Sequence, residues 1–142
     1  AANAEIAPMV NQVETHVFCQ QRRARKYMDE IGTRIMAWAP LAEGRNGLFT
    51  CPALVEVGKR HGKSAAQVAL RWLLQSGVII IPKSTHRERM AENLDTLNFT
   101  LTEADMQQIA ALDERRSLFF DHHDPEMAKQ FMQWRSLVQP AK

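Results

Sequence analysis

The apolar residues of this 142-residue chain fall into short unbroken runs separated by stretches with helical spacing. The clearest run is Val78-Ile79-Ile80-Ile81, four β-branched residues closed by Pro82. A run this short and this apolar predicts a buried strand of a parallel sheet. Proline donates no ladder hydrogen bond, so Pro82 ends it. Arg34-Ile35-Met36-Ala37-Trp38-Ala39 predicts another strand, stopped by Pro40. Pro8-Met9-Val10-Asn11-Gln12-Val13-Glu14 mixes apolar and polar positions as the end of a strand does, and Thr15-His16-Val17-Phe18 follows as a loop.

Helices are expected between these runs. Residues 20–31 predict one, with Tyr27, Met28 and Ile31 on its apolar side and Gly32 as its C-terminal cap. Its early basic residues, Arg22, Arg23, Arg25 and Lys26, read as a solvated face. Residues 41–50, with Gly44, Asn46 and Gly47, read as a loop. Cys51-Pro52 opens the next helix, with proline where its missing N–H costs nothing; Leu54, Val55 and Val57 are its apolar side and Gly62 its end. Ser64 caps a helix over 65–75 that offers Val68, Leu70, Trp72 and Leu73 to the core. Thr85 and Glu88 have capping-box spacing, predicting a helix to about residue 94. Thr102 with Asp105 caps a last regular helix carrying Met106, Ile109 and Leu112. Residues 115–125 read as a loop, and 126–137 as a short helix with Phe131 and Trp134. Strands alternating with helices predict parallel βαβ units with right-handed crossovers, hence an α/β fold.

Composition narrows the function classes. Hydrophobic residues are 45% and charged residues 24%, which predicts a packed globular core. A net charge of +2 is too small to argue for nucleic acid. No apolar run approaches the ~20 residues of a membrane helix. The opening Ala1-Ala2-Asn3-Ala4-Glu5 lacks the basic start of a signal peptide, so a cytoplasmic location is expected. Cys19 and Cys51 have neither a disulfide framework nor metal-ligand spacing. His122 and His123, flanked by Asp121 and Asp124, lack a third ligand and read as a solvated loop, so no metal is expected.

The chemistry concentrates where the 78–81 run meets the next helix. Lys83, Arg87 and Arg89 cluster there with the hydroxyls of Ser84 and Thr85. Free backbone N–H groups, the positive end of a helix dipole and three cations make an anion site suited to a phosphate. As charges alone, the cluster is equally an ordinary solvated surface. Residue identity separates the two. Ile81-Pro82-Lys83-Ser84, then Arg89, then Ala91-Glu92-Asn93, closely resembles the coenzyme motif of the aldo-keto reductases. The resemblance implies that Lys83, Ser84 and Arg89 hold the 2′-phosphate of NADPH and that Glu92 and Asn93 hold its adenine. Thr85 and His86 then adjoin the adenosine half.

The resemblance covers nearly the whole chain but only part of the family's fold, a TIM barrel, which needs at least ~200 residues. Asn11-Gln12-Val13-Glu14-Thr15-His16 resembles its sixth strand, which implies that Gln12 faces the nicotinamide carboxamide. Ala37-Trp38-Ala39-Pro40-Leu41 resembles the seventh, with Trp38 stacked on the nicotinamide ring and Ala39 where a serine is frequent. Pro40 and Leu41 lead into Leu41-Ala42-Glu43-Gly44, similar to the loop at the pyrophosphate. Residues 78–84 resemble the eighth strand. The expected architecture is therefore the C-terminal part of a (β/α)8 TIM barrel, about three parallel strands with outer helices, incomplete on its own. Residues 1–112 form the partial barrel. Residues 113–142 form a tail in which 117–125 resembles the loop that borders the family's substrate pocket.

By resemblance, the activity is NADPH-dependent reduction of a carbonyl to an alcohol by hydride transfer. The family's catalytic Tyr, Asp, Lys and His belong to its first four strands, outside this stretch. Tyr27 lies in an outer helix and His16 matches no catalytic position, so no catalytic residue is assigned and the chain alone is expected to be inactive. Two other readings stand beside this one: a non-catalytic nucleotide-binding or assembly module, and a structural remnant. The expected partners are a small-molecule carbonyl substrate and either a separate N-terminal barrel half or a second copy. The abrupt start at the sixth strand makes a piece of a longer protein the simplest expectation.

Overall fold

The computed structural model describes residues 5–121 and 124–138. Strand β1 (Val10–Glu14) pairs in parallel with β2 (Arg34–Trp38), in register from Val10 opposite Arg34 to Glu14 opposite Trp38. Helix α1 (Arg22–Glu30) makes the crossover between them. In β2, Ile35 and Ala37 are buried while Arg34 and Trp38 are exposed, the two-residue alternation of a strand with one covered face.

Helix α2 (Pro52–His61) starts on its proline and ends at Gly62, whose φ of 64° is the left-handed cap. Helix α3 (Ala65–Gln75) carries a complete capping box between Ser64 and Gln67, and α5 (Glu103–Ala110) carries one between Thr102 and Asp105. Helix α6 (Pro125–Val138) follows a loop, close to the span its sequence predicts. The core lies between the sheet and α2, α3 and α5, built on Val17, Leu48, Leu54, Val57, Val68, Leu73 and Ile109.

Three expectations change. Residues 78–81 do not form a ladder. They meet β2 at one parallel bridge, where Ala37 N–H donates to Ile79 O at 2.8 Å and Ile79 N–H donates to Ile35 O at 3.0 Å. No described strand lies on their far side, and Pro82 offers no N–H to prolong the pairing. Helix α4 spans Arg87–Asp95, so Thr85 is not its cap. His86 occupies that position without a side-chain bond, because Ser84 Oγ accepts the His86 N–H at 3.1 Å and the helix starts one residue later than expected. The basic face of α1 is only partly solvated. Arg22 bonds Asp113 at 3.0 Å and the carbonyl of Ala110, while Arg25 bonds the carbonyl of Ser76. Those carbonyls close α5 and α3, where helix geometry leaves acceptors without partners and the dipole favours a cation.

Candidate functional site

Because the strands are parallel, Glu14, Trp38 and Pro82 end at one edge of the sheet. Two grooves open there. The first, about 610 Å³, runs between residues 39–49, the start of α3, residues 81–84 and α4. It gathers Pro40, Leu41, Lys83, Ser84, Arg89, Glu92 and Asn93, seven of the residues singled out in the sequence. The second, about 880 Å³, is lined by Gln12 and Trp38 together with Glu14, Arg115, Ser117 and Phe120. Trp38 and Ala39 are consecutive, so the grooves meet where β2 ends. Thr85 and His86 line neither groove and lie at the start of α4.

The first groove has a cationic end. Lys83 and Arg89 face it beside the start of α4, whose first N–H groups receive no cap from the His86 side chain. Glu43 and Glu92 supply opposite charge along the same walls. Its upper wall is a loop wound through left-handed backbone: φ is 51° at Ala39, Ala42 and Glu43, and 54° at Asn46. Each such non-glycine residue costs roughly 1–2 kcal/mol. Gly44 has a φ of 76°, which strains any other residue, and a Cβ there would stand 2.9 Å from the exposed Phe49 ring and push it aside. The loop is held from outside. Arg45 donates to Leu118 O at 2.8 Å and lies 4.1 Å over the Phe119 ring, and Asn46 bonds Glu114.

The second groove is walled by the segment after α5. Phe119 packs edge-on against Trp38 with ring centroids 4.5 Å apart, and Phe120 lies 6.0 Å from Trp38. Glu14, only 7% exposed, bonds that segment and His16 together. His16 Nδ1 accepts the N–H groups of Phe18 and Cys19, so the neutral ring carries its proton on Nε2, which donates to Glu14 at 2.9 Å. Burial pushes the His16 pKa down, against the opposing pull of Glu14. Burial also pushes the Cys19 thiol up, to about 11, with Glu14 and Asp113 adding to it, so it is no nucleophile near neutrality. Tyr27 is 61% exposed on α1, away from both grooves. Among the described residues no group of three or more His, Cys, Asp or Glu can hold a metal, and no helix is long and apolar enough to cross a membrane. His122, His123 and the Trp134 side chain lie outside the described residues.

Sequence reasoning passed over Glu14, Arg45, Ser117, Phe119 and Phe120 as individual residues. One signal was present, a carboxylate closing a strand whose neighbour Val13 packs against the core.

The fold that carries the grooves has known counterparts. The model of the aldo/keto reductase family matches residues 1–114. The chain belongs to that family. Among curated aldo-keto reductases and their kin, it is 46% identical over 115 residues to glyoxal reductase of Bacillus subtilis, covering 80% of this chain and 41% of the relative. It is 43% identical over 117 residues to 9,11-endoperoxide prostaglandin H2 reductase of Trypanosoma cruzi, covering 82% of this chain and 41% of that one. The solved structures include an aldo-keto reductase enzyme from a Medee basin deep-sea metagenome library, at TM-score 0.81 and 36% identity, covering 86% of this chain and 45% of that chain. Another is a Gox0644 variant in complex with NADPH, at TM-score 0.75 and 38% identity, covering 85% of this chain and 43% of that chain. This aldo-keto reductase chain thus spans about two fifths of the length of the curated relatives it matches.

Proposed function

We propose that this chain is the coenzyme-holding part of an NADPH-dependent aldo-keto reductase that reduces an aldehyde or ketone to an alcohol. The observation that carries the reading is the first groove, which brings Lys83, Ser84, Arg89, Glu92 and Asn93 to one cavity at a helix start. A dinucleotide fits this donor set: a cationic pair for a phosphate at one end, and acceptor and amide groups for a base beside it. The volume lies within the ~300–1,000 Å³ of small-molecule sites. The coenzyme, when bound, supplies the hydride. Lys83 and Arg89 pair with its 2′-phosphate, Ser84 donates a hydroxyl, and Glu92 and Asn93 hold the adenine. Pro40 and Leu41 guide the pyrophosphate towards the second groove, where Trp38 stacks on the nicotinamide and Gln12 bonds its carboxamide. Thr85 and His86 border the adenosine end from the start of α4. NADPH dependence also draws support from the NADPH complex of a related structure.

The proton for the developing alkoxide has to come from elsewhere. The chain's single tyrosine is turned to solvent on α1, so the 142 residues alone bind coenzyme without turnover. This observation also favours a second reading, a non-catalytic nucleotide-binding or assembly module. Calorimetric titration with NADPH, NADH and 2′,5′-ADP, alongside a carbonyl-reduction assay, tests both. NADPH is expected to bind better than NADH, and Lys83→Ala or Arg89→Ala to cut that preference by roughly tenfold or more, the loss of one charged hydrogen bond. Equal affinity for NADH and NADPH overturns the phosphate clamp. Coenzyme-dependent reduction by the 142 residues at ordinary enzyme rates overturns their catalytic incompleteness. Failure of the full-length protein to reduce any carbonyl, with 2′,5′-ADP still bound, selects the module.

A further inference from the structure

One wall of the second groove is tied to a carboxylate at the end of β1. Glu14 closes β1 and is 7% exposed. Its Oε1 accepts the Leu118 N–H at 2.9 Å and the His16 ring N–H at 2.9 Å; its Oε2 accepts the Ser117 hydroxyl. Ser117 Oγ in turn accepts the N–H groups of Phe119 and Phe120, each at 3.0 Å. Four consecutive residues, 117–120, are thus tied directly or through one hydroxyl to a single side chain. The two phenylalanines placed in this way lie against Trp38. A buried carboxylate is costly without donors, and these donors come from the segment itself. With the segment elsewhere, Glu14 keeps only His16 as a side-chain partner, so the docked arrangement is favoured from both sides.

We propose that Glu14 is a positioning residue. It anchors residues 117–120 so that Phe120 lines the groove beside Trp38, with Phe119 packed against Trp38, and that wall sets the bulk of carbonyl substrate the groove admits. The substrate part of this proposal rests on the reading of the second groove given above; the anchoring does not. Mutating Glu14 therefore acts on substrate choice and leaves the cationic end of the first groove, Lys83 and Arg89 beside α4, in place; through Arg45 it reaches only the loop on the other wall.

The test has two arms. Amide hydrogen exchange is followed in the protein and in Glu14→Ala, Glu14→Gln and Ser117→Ala. Steady-state kinetics in the full-length protein compare a small dicarbonyl, glyoxal, with an aromatic aldehyde. In Glu14→Ala the amides of Leu118, Phe119 and Phe120 exchange roughly tenfold faster, matching loss of about one net hydrogen bond, while those of Ala37 and Ile79 hold. Glu14→Gln restores protection at Leu118, whose N–H its amide oxygen still accepts, and less at Phe119 and Phe120, because both lone pairs of Ser117 Oγ are already taken by their N–H groups and cannot also take the new NH₂. KM for the aromatic aldehyde shifts by roughly tenfold relative to that for glyoxal, with 2′,5′-ADP affinity, which reads only the Lys83 and Arg89 end, unchanged. If Glu14→Ala unfolds, seen as lost protection at Ala37 and Ile79, Ser117→Ala gives the same reading from the other end of the bond. Unchanged exchange at 118–120 overturns the anchor. Equal effects on both substrates overturn the positioning role, as does an equal loss of 2′,5′-ADP affinity. Released amides in a full-length protein that reduces no carbonyl leave the anchor standing and overturn the reading of the groove.

Discussion

His16 shows how much one ring can be asked to do when water is kept away from it. It is fully buried, it accepts two backbone N–H groups, and it donates to Glu14. Its pKa lies below the ordinary 6.5, with burial as the main cause. Below that pH the unfolded chain takes up a proton that the folded chain resists, so stability falls as pH drops through 6.5 towards the folded value. Urea melts between pH 7.5 and 5.5 are expected to show a falling midpoint, flattened in His16→Asn. Asp105 acts in another window. Burial alone would raise its pKa, but bonds from Arg60, His61 and Thr102 hold it well below the usual carboxylate range. What it contributes is present above about 3.8 and is lost only in stronger acid. The contrast also separates what the sequence revealed from what it did not. Thr102 and Asp105 are three residues apart, and local spacing was enough to predict their bond. Glu14 and Ser117 are separated by 103 positions, a distance that no periodicity encodes.

Elements followed the sequence where their ends are decided by neighbours in the chain. Pro52, Gly62, Ser64 and Thr102 mark the ends of α2, α3 and α5 as expected, because each acts within one turn. Residues 78–81 and the start of α4 departed from expectation because their states depend on what pairs with them: a second strand in one case, the competing Ser84 hydroxyl in the other. Gly58 belongs to neither group. It sits inside α2, where glycine lowers helix stability, yet a Cβ there would lie 2.3 Å from the Lys63 carbonyl oxygen. That carbonyl belongs to the turn leading into α3, so the glycine allows the turn to fold back on α2. Gly58→Ala is expected to destabilise by about 1–3 kcal/mol in urea unfolding despite its better helix propensity. A gain in stability would show that the turn can shift at little cost.

At the scale of the whole molecule, the sheet is the part least covered. Met9 is 74% exposed, Val10 45% and Ile81 56%, so apolar groups ring an open two-stranded ladder. Unpaired edges invite another strand. We propose that these edges take the remaining strands of a barrel, or a second copy of the chain where those strands are missing. Sedimentation of the purified 142 residues is expected to show association that grows with concentration; a monomer at every concentration would argue against it. The family was readable from the sequence, because its coenzyme motif is short and local. The division of the predicted residues between two grooves was not, since it depends on how Trp38 and Ala39 point away from each other across one peptide bond.

Arg45 gives the molecule a consequence for inheritance. Its guanidinium leaves the wall of one groove and grips the segment that walls the other, with Asn46 and Glu114 alongside. The two stretches are joined as lock and key. A chimera that takes its tail from a relative is expected to fold best when it also takes residues 42–50 from the same parent.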